Sequence, residues 1–477
     1  MTVISKYFTA IEKVAKTLVP VGVAAPAAFV LSLALYGAAV EPASALPSFA
    51  RQTGQPCAAC HTAFPQLTPF GRRFKLGGYT LEGGDTKDLP PIAFMVQSTF
   101  TRYGTGLNEP AGGTYSVPSP DGGWPNQNNF LDLAQQTSIF YGGKVYGNLG
   151  AFIQATFVND YGRAFGWDLT DIRYADTTKI GGFDVLYGLT ANNVPTMQDP
   201  WNTTPVWSSP FINSVFSLSP VASTMIEGFG PGQAVGGGCY VFVNDMFYAE
   251  LSGYGSLTPS AQTVLGTGQL GFSISGIAPY YRVAVEKNWG DNSLMVGAYG
   301  MNANITPGLS YGFGTNNLFD AGFDSQYQWI TEQHAVTDRA NYIWERQLLN
   351  SSYAQGFSGN PTDYLRSLKL GVEYVYDHTY SLTGTYFQIT GSPDAQVYSN
   401  NVYTSPNSSG FIIDAAYLPF SHGGPDIWPW FNTRLGVSYT IFTKFDGGSN
   451  NIDPVNCWGC RSAADNNTLM LYAFTAF

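Results

Sequence analysis

Cys57-Ala58-Ala59-Cys60-His61 is the stretch whose residue types and spacing point most directly to chemistry. Two thiols three residues apart share one helical turn and can reach both vinyl groups of a haem. The histidine next in the chain then offers a ring nitrogen to the iron, so C-x-x-C-H is the pattern of c-type haem attachment. A zinc site would need further ligands nearby, and the next histidine is His334. A thioredoxin-like redox pair needs no histidine and belongs in an α/β context. The expectation is one covalent haem c on Cys57 and Cys60, with His61 as axial ligand of the haem iron.

Residues 46–90 hold no methionine and no second histidine, so the usual sixth ligand is absent locally. The sixth position is open, or Lys75 fills it, or the ligand comes from the rest of the chain. Met95 is one candidate, on a strand where Phe94, Val96 and Phe100 face lipid while Met95, Gln97 and Thr99 face inward. His334, His378 and His422, at three short connections, are others, and Met295 and Met301 rank behind them. Arg51, Arg72, Arg73 and Lys75 flank the motif in a chain poor in cations. They would pair haem propionates or an acidic lumen, or remain solvated. Cys457-Trp458-Gly459-Cys460 is followed by Arg461, so it is no second haem site and reads as a disulfide in an oxidising loop; Cys239 is left unpaired.

A segment this small cannot bury a haem alone, and the rest of the chain must supply the walls. The 477 residues carry 12% charged and 15% aromatic residues, 54 Gly and a net charge of −11. So few cations leave no footprint for nucleic acid. Mean hydropathy is −0.05, and the one long apolar stretch is N-terminal, which excludes a helical membrane protein. Lys6, Lys13 and Lys16 precede an uncharged run from Leu18 to Val40 and the small residues Ala43-Ser44-Ala45. Residues 1–45 therefore read as a cleaved signal peptide.

After Pro91 apolar and polar residues alternate in segments of about ten. Leu368, Leu370, Val372, Tyr374 and Tyr376 oppose Lys369, Gly371, Glu373 and Asp377; Leu435, Val437, Tyr439 and Ile441 oppose Arg434, Gly436, Ser438 and Thr440. Strands are expected near 93–103, 130–142, 146–158, 167–176, 183–191, 237–244, 246–254, 279–287, 293–304, 323–331, 334–348, 367–378, 380–390, 410–420, 432–445 and 467–477. The gaps alternate long and short, and the chain ends on Phe477. That predicts an all-β fold: a transmembrane antiparallel β-barrel of about 16 strands over 91–477, preceded by a small N-terminal c-type haem segment at 46–90. The Pro- and Trp-rich connection from Asn192 to Gly236 is either a constriction in the lumen or an external loop.

The stretch Pro47-Ser48-Phe49-Ala50-Arg51-Gln52-Thr53-Gly54, the C-A-A-C-H run and Phe64-Pro65-x-Leu67-x-Pro69-Phe70-Gly71-Arg72-x-Phe74-Lys75 resemble one family. They are similar to the fused outer-membrane monohaem cytochrome–porins of iron-oxidising bacteria. The resemblance is specific over about 30 residues and only architectural beyond them. It implies a haem at or within the barrel lumen, extracellular Fe(II) as electron donor, and a periplasmic cytochrome or copper protein as acceptor, in an outer-membrane ferrous-iron oxidoreductase. Cys57, Cys60 and His61 carry over from the family; the sixth ligand and the iron site do not. A conduit for another extracellular donor, and a diffusion porin with a structural haem, are the competing functions, and a wide open lumen would favour the second.

Overall fold

The computed structural model describes residues 46–84, 90–104, 128–158, 165–214, 216–267, 271–423, 430–450 and 462–477. Residues 1–45, expected to be a signal peptide, and the Cys457/Cys460 pair lie outside them. Among the described residues sixteen long strands follow one another. They are β1 (Ile92–Tyr103), β2 (Asn129–Tyr146), β3 (Leu149–Val158), β4 (Phe165–Ile180), β5 (Phe183–Asn192), β6 (Val235–Val243), β7 (Phe247–Gly255) and β8 (Ala278–Trp289). The second half is β9 (Asn292–Pro307), β10 (Asn316–Ile330), β11 (His334–Leu348), β12 (Thr362–Tyr376), β13 (Tyr380–Gly391), β14 (Ser408–Tyr417), β15 (Asn432–Phe445) and β16 (Thr468–Ala476). Two short strands, Phe272–Ile274 and Gly448–Ser449, extend the ladders of β9 and β15.

Every strand pairs antiparallel with its neighbours in sequence, and β1 closes the cylinder by pairing with both β2 and β16. Phe100 thus lies opposite Leu131 on one side and Leu471 on the other. Closure satisfies every edge, which a sheet in hydrocarbon requires. All sixteen expected strands are present, but several run further than their apolar alternation. β10 begins at Asn316 rather than 323 and β12 at Thr362 rather than 367, while β14 stops at Tyr417. Ladder bonds need only backbone, so polar residues such as Asn316 and Asn317 still pair, with Ile305 and Asn304.

Side chains sort by face as the period of two demands. On β12, Leu370, Val372 and Tyr374 are exposed outward, whereas Gly371, Glu373 and Val375 are buried on the inner face. Phe94, Phe183, Phe247, Trp289, Tyr376 and Phe477 are also exposed, each beside a short turn or a chain end of the barrel. An apolar outer band with an aromatic girdle is the surface of an outer-membrane barrel, and the chain is a porin-like barrel of that membrane. The short turns, among them Asn244-Asp245 with φ of 53° and 52°, have the left-handed backbone that a tight hairpin needs. They mark the periplasmic end, and the long loops the outer one.

The lumen holds much of the chain's scarce charge. Arg173, Glu250, Arg282, Asp324, Glu373 and Arg434 are all buried on the inner wall. Arg282 bonds Asp324 at 2.6 Å and lies 3.4 Å from Asp199. Inside the wall Tyr472 lies across Gly436, its partner in register, where a Cβ would come within 2.2 Å of the ring. Two pieces of chain fill the remaining space. One is the plug formed by residues 46–84, with helices α1 (Pro47–Thr53), α2 (Cys57–Cys60) and α3 (Pro69–Leu76). The other is the connection from Asn193 to Ala234, which enters the lumen instead of lying outside. Its Trp201 is fully buried and donates to Glu286 at 2.5 Å. Its helix α4 (Met225–Gly228) directs backbone N–H groups of Met225 and Ile226 at Glu345 and Asp320.

Candidate functional site

Pro56 leads into α2, whose single turn closes through His61 N–H to the Cys57 carbonyl at 2.7 Å. Thr68 then staples this turn to α3. Its hydroxyl donates to the Ala59 carbonyl at 2.7 Å and caps α3 by accepting from Gly71 N–H at 3.1 Å, while its own N–H bonds the Cys60 carbonyl. The two helices touch so closely that a Cβ on Gly71 would sit 2.2 Å from the Cys60 oxygen.

The donor set suits covalent haem attachment. Cys57 and Cys60 are both unpaired. Burial pushes both thiols up, Cys60 to about 11, and at Cys57 the neighbouring Cys60 adds to the effect. His61 Nδ1 is 3.2 Å from the Gln66 carbonyl. A carbonyl only accepts, so Nδ1 carries the proton and Nε2 keeps its lone pair, the arrangement of a metal-ligating histidine. The surrounding protein lowers the ring pKa to about 4, against the Gln66 and Pro65 carbonyls, which raise it.

These three side chains line one cavity in the lumen. Phe49, Phe74 and Tyr79 form one aromatic wall, with Phe49 edge-on to Phe74 and stacked on Tyr79 at 5.5 Å. Phe152 of β3 and Met197, Asn202 and Trp207 of the in-folded connection complete the lining. Plug, barrel and connection thus share one chamber.

Arg72 anchors the plug. It is buried, bonds Glu286 and Ser293 at 2.8 Å each, and donates to Gln328 at 2.7 Å, Gln326 at 3.1 Å and the Leu67 carbonyl at 3.0 Å. Asn202 and Arg434 hold the Pro65 and Phe64 carbonyls, and Tyr240 holds that of Leu76. Arg51 donates to the Ile92 carbonyl and lies over Trp430, and Arg73 pairs with exposed Asp245. Of the flanking cations Arg72 pairs the acidic lumen, and Arg73 remains at the surface.

Lys75 lines the cavity, but its ammonium donates to the carbonyls of Met197 at 2.7 Å and Asp199 at 2.9 Å, over the Trp207 ring. Met95 faces the lumen and is buried. It lines an adjoining cavity that shares Leu46, Phe64, Pro65, Phe152 and Trp207 with the first. His334, His378 and His422 lie at the periplasmic end, outside the lining of the cysteine cavity. His334 stacks on Trp329 and bonds Tyr374, whereas His378 reaches the plug, 3.2 Å from the Thr62 carbonyl. Met301 packs in the same lumen core as Met197, and Met295 packs beside Trp201. Cys239 is exposed and unpaired on β6. Sequence reasoning missed Met197 and Trp207; the only cue was the Pro- and Trp-rich composition of their connection.

No family model and no curated protein sequence matches the chain. Among solved structures it is similar to the outer membrane channel DcaP of Acinetobacter baumannii, at 14% identity and a TM-score of 0.44, covering 81% of this chain and 96% of that one. It is similar also to OprB of Pseudomonas putida, at 12% and 0.44 over 81% and 93%. The third is an anion-selective porin from Comamonas acidovorans, at 11% and 0.42 over 81% and 98%.

Proposed function

We propose that this porin-like barrel is an electron conduit, which carries electrons from extracellular ferrous iron through one covalent haem c to a periplasmic cytochrome or copper protein. The observation that carries the reading is the chamber in the lumen, lined by two unpaired cysteines and a histidine in C-x-x-C-H order. Bound there, the haem supplies a one-electron couple. Cys57 and Cys60 would hold it through thioethers, each S–H having added across a vinyl group, and His61 Nε2 would ligate the iron, with Gln66 fixing the ring. Phe49, Phe74 and Tyr79 exclude water from one wall. Each Fe²⁺ gives up one electron outside and becomes Fe³⁺, and each acceptor takes one electron at the short-turn end. Only the electron crosses, so ferric iron stays out.

The test uses detergent-purified outer-membrane protein. Haem stain should follow the heat-modifiable band and vanish in Cys57→Ala and Cys60→Ala, and Fe²⁺ should convert the oxidised spectrum to the reduced one. Stain surviving both substitutions ends the haem reading, and a wild-type haem that Fe²⁺ leaves oxidised at every pH between about 2 and 7 ends the iron reading.

A diffusion porin is the second reading, favoured by one observation. A further cavity lies between the in-folded connection and the inner wall, edged by Ser219, Glu227, Lys369 and Ser438. Solute-permeable proteoliposomes with a haem that no donor reduces would support it.

A further inference from the structure

We propose that Met197 is the sixth ligand of the haem iron and that Lys75 is the residue that positions it. This rests on the reading of Cys57, Cys60 and His61 as a haem site. Met197 is the one methionine among the residues lining the chamber with those three, and no second histidine lines it. The residue is buried, 1% exposed, and Trp207, which packs against the same core cluster, lines the chamber with it.

Its backbone is held with unusual care. The Met197 carbonyl accepts from Lys75 Nζ at 2.7 Å and from Trp207 Nε1 at 3.2 Å, and its N–H bonds the Val194 carbonyl. The preceding residue, Thr196, has a φ of 71°, a left-handed backbone that β-branched residues avoid. Such strain persists only where surrounding contacts over-determine it, and it clusters at ligand clamps. Lys75 belongs to α3, the helix stapled by Thr68 to the cysteine turn, so the strap from Lys75 to Met197 links the two sides of the haem site through one rigid plug. The strap also turns Lys75 Nζ toward the Met197 and Asp199 carbonyls. A methionine ligand raises the potential of a haem, as a weak reductant such as Fe²⁺ at acid pH demands.

The experiment compares wild type, Met197→Leu, Met197→His, Met95→Leu and Lys75→Leu as purified holoprotein. Leu for Met conserves volume, and heat-modifiable migration reports an intact barrel. Wild-type ferric haem should be low-spin with the weak far-red band of an iron–sulfur(thioether) bond. Met197→Leu should lose that band, turn high-spin, bind carbon monoxide when reduced and drop in midpoint potential, with haem stain unchanged. Met197→His should return to low spin without the far-red band, and Met95→Leu should match wild type. Lys75→Leu should keep stain but show a mixture of the wild-type and Met197→Leu spectra. A far-red band and potential that survive Met197→Leu overturn the assignment, as does their loss in Met95→Leu alone. An unaltered spectrum in Lys75→Leu removes its positioning role. Absence of haem stain from wild type would instead refute the underlying haem site, so the two failures are told apart.

Discussion

Replacing Arg72 by methionine should loosen the plug from the barrel, and the cost can be worked from its contacts. The guanidinium and Glu286 are both nearly fully buried and meet at 2.8 Å. Without Arg72, Glu286 keeps Trp201 Nε1 at 2.5 Å and Asn288 at 3.0 Å but loses its countercharge. Removing one partner of a buried ion pair typically costs about 3–5 kcal/mol, mostly as the penalty of the charge left behind. At about 1.4 kcal/mol per tenfold, that would raise the undocked fraction of the plug by roughly 100- to 4,000-fold. Hydrogen exchange of the amides in residues 46–84 measures this directly, with β12 and β13 as internal references. Glu286→Gln should restore part of the loss, because in the double variant no charge is stranded. Unchanged plug exchange in Arg72→Met, or a double variant as loose as the sum of the singles, would refute the claim that the pair holds the plug.

Three further outcomes follow from particular contacts. Gly71→Ala should abolish haem staining while leaving the heat-modifiable barrel, because its Cβ would fall 2.2 Å from the Cys60 carbonyl; normal stain would show that the cysteine turn tolerates displacement. Cysteine-specific labelling should modify Gly182→Cys only from the periplasmic side and Tyr353→Cys only from outside in whole cells, and labels on the opposite sides would invert the assigned orientation. At the outer end, burial raises the Asp394 carboxyl, but the N–H groups of Val397, Gly359 and Gln396 and the Ser358 hydroxyl outweigh it and hold its pKa below the ordinary 3.8. A depressed carboxylate adds stability above its unfolded pKa and loses it only as pH falls through the lower folded value. The clamp between the loops at 349–361 and 392–407 should therefore survive at pH 3.8 and somewhat below, read as resistance to an acid protease, and Asp394→Asn should open it at every pH. Equal cleavage of wild type and variant at pH 3.8 would contradict this.

The elements that repeat were legible in the chain and the ones that converge were not. Period-two alternation is local, so a strand such as β12 announces itself through Leu370, Val372 and Tyr374 alone. Both ends of the cysteine motif are local too, since the turn from Cys57 to His61 closes on itself. By contrast, whether residues 193–234 turn inward depends on partners far away: Trp201 meets Glu286, Asp199 meets Arg282, and Asn202 meets the Pro65 carbonyl. No window of sequence contains both members of any such pair. For the same reason alternation could point Met95 inward but could not say which chamber it enters, and Met197, on an aperiodic segment, carried no signal.

The lumen also supplies what so small a segment would need to serve as the haem domain proposed for it. Residues 46–84 are too few to bury a porphyrin-sized ligand behind their own apolar side chains, because small units bury a small share of their surface. Here the walls come from elsewhere: Phe152 from β3, Met197 and Trp207 from the connection. The plug in turn needs the barrel's charges, since buried Arg72 would be destabilising without Glu286 and the glutamines of β10. Low overall charge and buried ion pairs are thus one design. The outer face must be apolar for the membrane, so the few Arg, Asp and Glu are spent inside, where they orient what fills the bore. A segment docked by buried charge cannot slip along the lumen as one held by apolar contact alone could, because each shift of register strands a charge. That constraint keeps the cysteine turn and the in-folded connection facing each other across a chamber neither could form alone.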